Sequence, residues 1–218
     1  MWLPLFLLLA PLLAAEVIRF EDARAGALPP GWTQAMTSTG GAPQWEVRAD
    51  PTAPSGPHVL AQVSDDATRG RFPLAVLDRV SVRDGSVSVR CKPVSGKIDQ
   101  ACGVVWRYRD ENNYYIARAN ALENNVVAYK VAGGKRTSLA PRGTDPKTYG
   151  IKHPVASGEW HTLEVQFGGN MFTVSFDGTR LFDVEDATFP EAGRVGLWTK
   201  ADSVTHFDDF SVETSIGS

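Results

Sequence analysis

Between Asp84 and Val131 apolar and polar residues alternate with a period of two, in four runs parted by the turn clusters SGKID, DENN and ALENN. That period belongs to consecutive antiparallel strands rather than to helices. Side chains two apart on a strand share a face, so Val104 and Trp106 are expected to point one way and Arg107 the other. By the same rule Arg118 aligns with Asn120, and Lys130 opposes Tyr129 and Val131. The pattern therefore predicts one sheet spanning 84–131, with a cationic, amide-rich face backed by an apolar one.

The flanking segments read the same way. VIRF, WEVRA and HVLAQV precede the central runs, with the turn LPPGW and the loop DPTAPSGP between them. WHTLEVQFGGNMFTVSFDGTRLFDVED reads as two hairpins in series, turning at Gly168-Gly169-Asn170 and at Asp177-Gly178. GRVGLWTKA and THFDDFSVE close the chain as strands, with Val195 and Leu197 inward and Trp198 and Lys200 outward. No helical 3.6-residue period persists after residue 15, and 140–158 reads as one long loop of the kind that often carries function. About a dozen strands without helices leave an all-β sandwich or barrel. A two-sheet antiparallel jelly-roll sandwich fits best, with Val87, Val89, Val104, Leu163, Val165, Phe172, Val174, Val195 and Leu197 in its core.

The first 15 residues change the domain count. They form an uncharged apolar run closed by Ala14 and Ala15, shorter than the roughly 20 residues of a membrane span but suited to a signal-peptide core. The expectation is a signal segment over 1–15, one domain over 16–218, and a secreted or periplasmic protein with no stable membrane insertion after cleavage. Net charge is -3 and pI about 5.8, which argues against a nucleic-acid partner. Residues 104–152 run against that balance, with nine Lys or Arg to four Asp or Glu. A pocket for a hydroxyl-rich or anionic ligand is one reading of this asymmetry and a solvated surface the other.

The two cysteines, Cys91 and Cys102, flank KPVSGKIDQA between neighbouring expected strands. Facing residues on antiparallel strands approach closely enough for a disulfide, and an oxidising compartment favours one. Two small buried thiols, or redox or metal chemistry, are the alternatives.

GALPPGW, KPVSG, VWRYRDENNYYIARANALENNVVAYKV, SGEWHTLEV, FDGTRLFDVEDATFP, GRVGLWTKADSV and FDDFSV together resemble the concanavalin A-like lectin/glucanase superfamily. Within it they are most similar to bacterial laminin-G-like and 3-keto-disaccharide-hydrolase-type domains. The resemblance spans nearly all of 16–218 and implies a jelly roll, but its members include lectins, carbohydrate-binding modules, glycosidases and lyases, so function rests on sites.

Catalytic motifs are scarce. The paired-carboxylate strand motif of glucanases, needed to flank a sugar bond, is absent, and Asp183-Val184-Glu185 at a strand end comes nearest. The four histidines show no zinc-ligand spacing, GGKRTS reads as a hairpin turn rather than a phosphate loop, and no GxSxG elbow occurs. Binding chemistry is better supplied. Sugar hydroxyls suit Arg and amide donors, and the apolar side of a ring suits an aromatic face. Arg107, Arg118, Asn120, Lys130, Trp198 and Lys200 carry those groups, with Tyr115 as the one of Tyr114 and Tyr115 turned to the ligand. Glu123 is the competing partner for Arg118. The leading function is a non-catalytic carbohydrate-binding domain for an oligo- or polysaccharide, anionic sugars included; a sugar-active hydrolase or lyase and a protein-interaction module are the alternatives. No cofactor is expected, apart from a structural Ca²⁺ held by hard oxygen ligands where the first and last strands meet, with Glu21 and Asp209 as candidates. Phe207 and Phe210, three apart, can both be buried only if a bulge intervenes.

Overall fold

A computed structural model describes residues 16–215; the expected signal segment, 1–15, lies outside them. In chain order the strands are β1 (Glu16–Ile18), β2 (Trp32–Thr37), β3 (Trp45–Ala49), β4 (His58–Gln62), β5 (Phe72–Val82), β6 (Gly85–Ser95), β7 (Ala101–Asp110) and β8 (Asn113–Asn120). There follow β9 (Asn125–Ala132), β10 (Lys135–Leu139), β11 (Ile151–Lys152), β12 (His161–Gly168), β13 (Met171–Phe176), β14 (Thr179–Glu185), β15 (Gly193–Trp198) and β16 (Val204–Thr214). The described residues contain no helix. One sheet runs β14-β13-β12-β6-β16-β4-β3 with β1 added on β16, and the other runs β10-β9-β8-β7-β15-β5-β2 with β11 added on β9. The fold is the expected two-sheet antiparallel jelly roll. One expectation is overturned: the 84–131 runs do not share a sheet, because β6 lies in the first and β7 to β9 in the second.

All nine expected core residues pack between the sheets. On β6, β12 and β13 buried positions alternate with more accessible ones, the mark of strands with one wet face. Strands β7, β8 and β9 are buried almost throughout. Their second face is covered by another apolar cluster, which includes Phe72, Val105, Tyr114, Ile116, Tyr129 and Trp198. The second sheet curls over this cluster. The Arg136 guanidinium of β10 lies 4.7 Å from the Phe72 ring of β5, although a flat sheet would hold those strands about 24 Å apart at its ordinary strand spacing. Likewise Thr37 of β2 hydrogen-bonds the Tyr114 hydroxyl of β8 at 2.5 Å.

Two bulges set which side chains face in. At Arg107, φ is 48°, and the β7–β8 register shifts between Trp106 and Asp110. Trp106 consequently joins the inter-sheet core and Tyr108 the outer cluster, although they are two apart. Gly193 accommodates the kink, since a Cβ there would lie 2.5 Å from the Arg107 carbonyl carbon. In β16, Asp209 has φ 45° and the register shifts between Asp208 and Ser211. Phe207 and Phe210 are both fully buried, as the spacing required.

Cys91 and Cys102 form a disulfide with Cα atoms 6.2 Å apart. Its route differs from the expected one. Strands β6 and β7 do not pair with each other, so the bond crosses from sheet to sheet through the core rather than between facing strands of one sheet.

Candidate functional site

Arg118 stands on β8 with Gly103 and Val127 as its register neighbours, which puts its side chain on the outer face of the second sheet. Gly103 keeps room there, because a Cβ would press on Trp198 at 3.2 Å. The guanidinium is the hub of a polar cluster. Its Nη1 donates to Asn125 Oδ1, and its Nη2 donates to Glu123 Oε2 at 2.6 Å, to the Tyr149 hydroxyl at 3.0 Å and to the Tyr129 hydroxyl at 3.1 Å. The two phenols also bond each other. Burial opposes the charge on Arg118, but Tyr129, Tyr149 and Glu123 outweigh it and raise its pKa. Reciprocally, burial works against the Glu123 carboxylate, and Arg118 more than compensates, lowering its pKa.

Asn120, one outward position further along β8, organises the neighbouring turn. Its Oδ1 accepts from the backbone N–H of Leu122 and Glu123, and its Nδ2 donates to Asp99 Oδ1 at 2.6 Å. Lys200 Nζ donates to Asp99 Oδ2 at 2.5 Å. Burial raises the Asp99 pKa against the pull of Lys200. Trp198 does face outward, as its alternation with Leu197 implied, but it is wholly covered, stacked on Phe72 at 5.5 Å beneath Arg136. The exposed rim consists of Tyr149, 46 % exposed, and Glu123, with a side chain 37 % exposed. Arg118 Nε and Arg136 Nη1 are buried without a hydrogen-bond partner. Both are donors.

The structure thus brings Arg118, Asn120, Trp198 and Lys200 to one face, and it separates Arg107, Tyr115 and Lys130 from them. Tyr115 and Lys130 are register partners on the opposite face, beside Trp106. The Tyr115 hydroxyl donates to Asp186 at 2.7 Å and accepts from the Phe189 N–H, while Lys130 Nζ donates to Asp186 at 2.6 Å and Thr188 at 2.9 Å. Burial pushes the Tyr115 phenol up to about 12. These two side chains pin the β14–β15 connection. Arg107 does so too: pushed aside by its bulge, it donates to the carbonyls of Arg83, Phe189 and Gly169. The expected single cationic face is therefore corrected. It fails because relative register between strands, and a bulge, decide parity.

Sequence reasoning missed Asp99, Asn125, Tyr129, Arg136 and Tyr149. Tyr149 belongs to the long 140–158 loop, whose length was its only signal. At the strand termini, Asp209 accepts from Arg19 Nε at 3.0 Å, and Glu21 accepts from the His58 N–H at 3.3 Å. No group of three or more His, Cys, Asp or Glu side chains placed to share a metal occurs among the described residues. Asp183 bonds Thr173 and Arg180, and Glu185 bonds Asn170.

No protein-family profile matches the chain, and no curated protein matches it significantly. Solved structures share the fold. The carbohydrate binding module CBM66 from Bacillus subtilis aligns with TM-score 0.62 and 21% identity, over 84% of this chain and 96% of that one. Cellulose induced protein Cip1 aligns at 0.60 and 13%, over 94% and 99%. The GH43 protein BlXynB from Bacillus licheniformis aligns at 0.51 and 15%, over 78% of this chain but only 37% of its own. At these identities the likeness shows the fold alone, a two-sheet antiparallel jelly roll.

Proposed function

We propose that this is an exported, non-catalytic carbohydrate-binding domain whose ligand sits against the Arg118 hub. The observation that carries this reading is the hub itself: a buried, fixed guanidinium whose Nη2 is shared by one carboxylate and two phenols, with Tyr149 and Glu123 exposed at its rim. A phenol ring offers the apolar face that packs on a sugar, and guanidinium and amide groups suit its hydroxyls. Both buried unpaired groups of the hub and its Arg136 neighbour are donors, which favours a ligand rich in acceptors, a sugar bearing a carboxylate. The fold shared with a protein described as a carbohydrate binding module supports the class. The disulfide supports an oxidising, extracytoplasmic compartment.

Calorimetric titration with glucuronic acid, with a xylan oligosaccharide carrying one glucuronate branch, and with neutral xylo-oligosaccharides tests the reading. The acidic sugars are expected to bind and the neutral ones to bind more weakly, with no new reducing ends formed. Tyr149→Ala should weaken binding about tenfold, the scale of one lost aromatic contact of roughly 1.4 kcal/mol. Glu123→Gln should strengthen binding of the acidic sugars, because it removes the carboxylate that competes for Arg118. Absence of any saturable binding would end this proposal, and product formation would make the domain a hydrolase or lyase. A Ca²⁺ at the Glu21–Asp209 corner would need Arg19 to release Asp209; a thermal midpoint rising with millimolar calcium is its signature.

A further inference from the structure

On the other side of the loop that carries Asp99 lies a cavity of about 570 Å³, lined by Asp65, Ala67, Val94, Ser95, Ile98 and Gln100 among others. That volume falls within the range of small-ligand sites. We propose that it is a second saccharide subsite, contiguous with the Arg118 site and taking an uncharged, hydroxyl-rich ring. The proposal rests on the carbohydrate reading above.

Its walls have two chemistries. Val94, 38 % exposed, stands with Ile98 and Ala67 as an apolar surface. Asp65, Ser95, Lys97, Gln100 and Asp202 supply polar groups. A pyranose has the same division, C–H groups on its faces and hydroxyls at its edge. Gln100 is fixed by donating from Nε2 to the Gly96 carbonyl at 3.0 Å, and its Oε1 finds no donor in the protein. Sugar hydroxyls donate; carboxylates do not. Asp65 and Asp202 against Lys97 leave the charged lining net acidic, which likewise disfavours a second anionic group here, so the carboxylate of the ligand belongs at Arg118.

The loop is rigidly held. Asp202 accepts from the backbone N–H of Lys97 at 2.6 Å and of Ile98 and Asp99 at 3.0 Å. Gly96 has φ 150°, and a Cβ there would lie 1.9 Å from the Asp99 carbonyl oxygen, so no other residue fits. A site preformed in this way loses little freedom on binding. The same loop joins the two sites: Asp99 reaches Lys200 and Asn120, whereas Ile98 and Gln100 line the cavity. Asn120 is the register partner of Ala101 and Arg118 that of Gly103, so Gln100 and Arg118 are separated by three residues along a strand, about 10 Å, and one strand spacing of about 4.8 Å. A short oligosaccharide spans that distance.

The test compares glucuronic acid with the glucuronate-branched xylan oligosaccharide. In the wild type the oligosaccharide is expected to bind at least tenfold more tightly, and to shift the amide resonances of Ser95–Gln100, which the monosaccharide leaves in place. Val94→Asp, a change at an exposed position, should remove that gain and leave glucuronic acid binding unaltered. Equal affinities for the two sugars, an oligosaccharide that leaves those amides unshifted, or a Val94→Asp protein that keeps the full gain, would overturn the second subsite while the Arg118 site stands. If neither sugar binds, both proposals fall together.

Discussion

Arg107 lies 1 % exposed, with its nitrogens bonded to three backbone carbonyls and to Asp84 and its guanidinium 5.4 Å from the Phe172 ring. Burial lowers its pKa, yet the carbonyls leave it no role but a charged tie between β7 and the β14–β15 connection. Arg107→Leu should therefore destabilise the fold by about 3 kcal/mol, the scale for removing one partner of a buried charged network, and leave sugar affinity unchanged. Urea unfolding and titration on the same protein check both halves. Residue chemistry was legible in the sequence where a local rule decides it: Arg118 pairs with Glu123 five residues away, and Val195 and Leu197 do face the core. It was illegible where two strands must first be registered. Nothing local tells that Lys130 sits beside Tyr115, and hence opposite Arg118.

At the scale of strands, the hairpin β12–β13 and the bulge in β16 follow directly from spacing. The assignment of β6 to a different sheet from β7 does not, because a disulfide across ten residues fits a hairpin and an inter-sheet corner equally well. The corner explains the geometry: the SGKID turn carries the chain from one layer to the other, and Asp202 fixes that turn through three backbone N–H groups. Replacing both Cys91 and Cys102 with Ala should cost about 2–3 kcal/mol, as expected for so short a closed loop. Because the bond lies in the inter-sheet core, the double variant should also lose packing, so its midpoint falls below that of the wild type reduced but left unalkylated in native buffer. Comparing thermal midpoints of the three preparations checks this.

Taken whole, the molecule carries several carboxylates whose folded-state pKa values lie below the ordinary range. For Asp50 and Asp202 burial acts in the opposite sense but loses, to Lys92 and His206 in the first case and to the backbone N–H donors in the second. Asp99 and Asp208 shift upward, chiefly through burial. A lowered carboxylate contributes stability that is complete above its unfolded pKa of about 4 and is lost as pH falls toward the folded value. The two raised groups act in the opposite direction, stabilising most in acid. Burial depresses His206, which contributes stability above about 6.5 and loses it as the imidazole is forced to charge. With the lowered groups in the majority, stability to urea should fall between pH 7 and pH 3, and Asp202→Asn should flatten that fall by being less stable than the wild type at pH 7 but nearly equal at pH 3. Another whole-molecule property follows from β1, whose Glu16 lies opposite Val212 near the end of β16. The described chain therefore begins and ends side by side, and a pull on the two ends loads the β1–β16 pair as a zipper, bond after bond, rather than in shear. Such a domain should give way at low force from its first sheet, while the disulfide keeps the corner between the layers shut. Tension along a longer polypeptide would peel β16 away before it disturbed the sheet that holds Arg118.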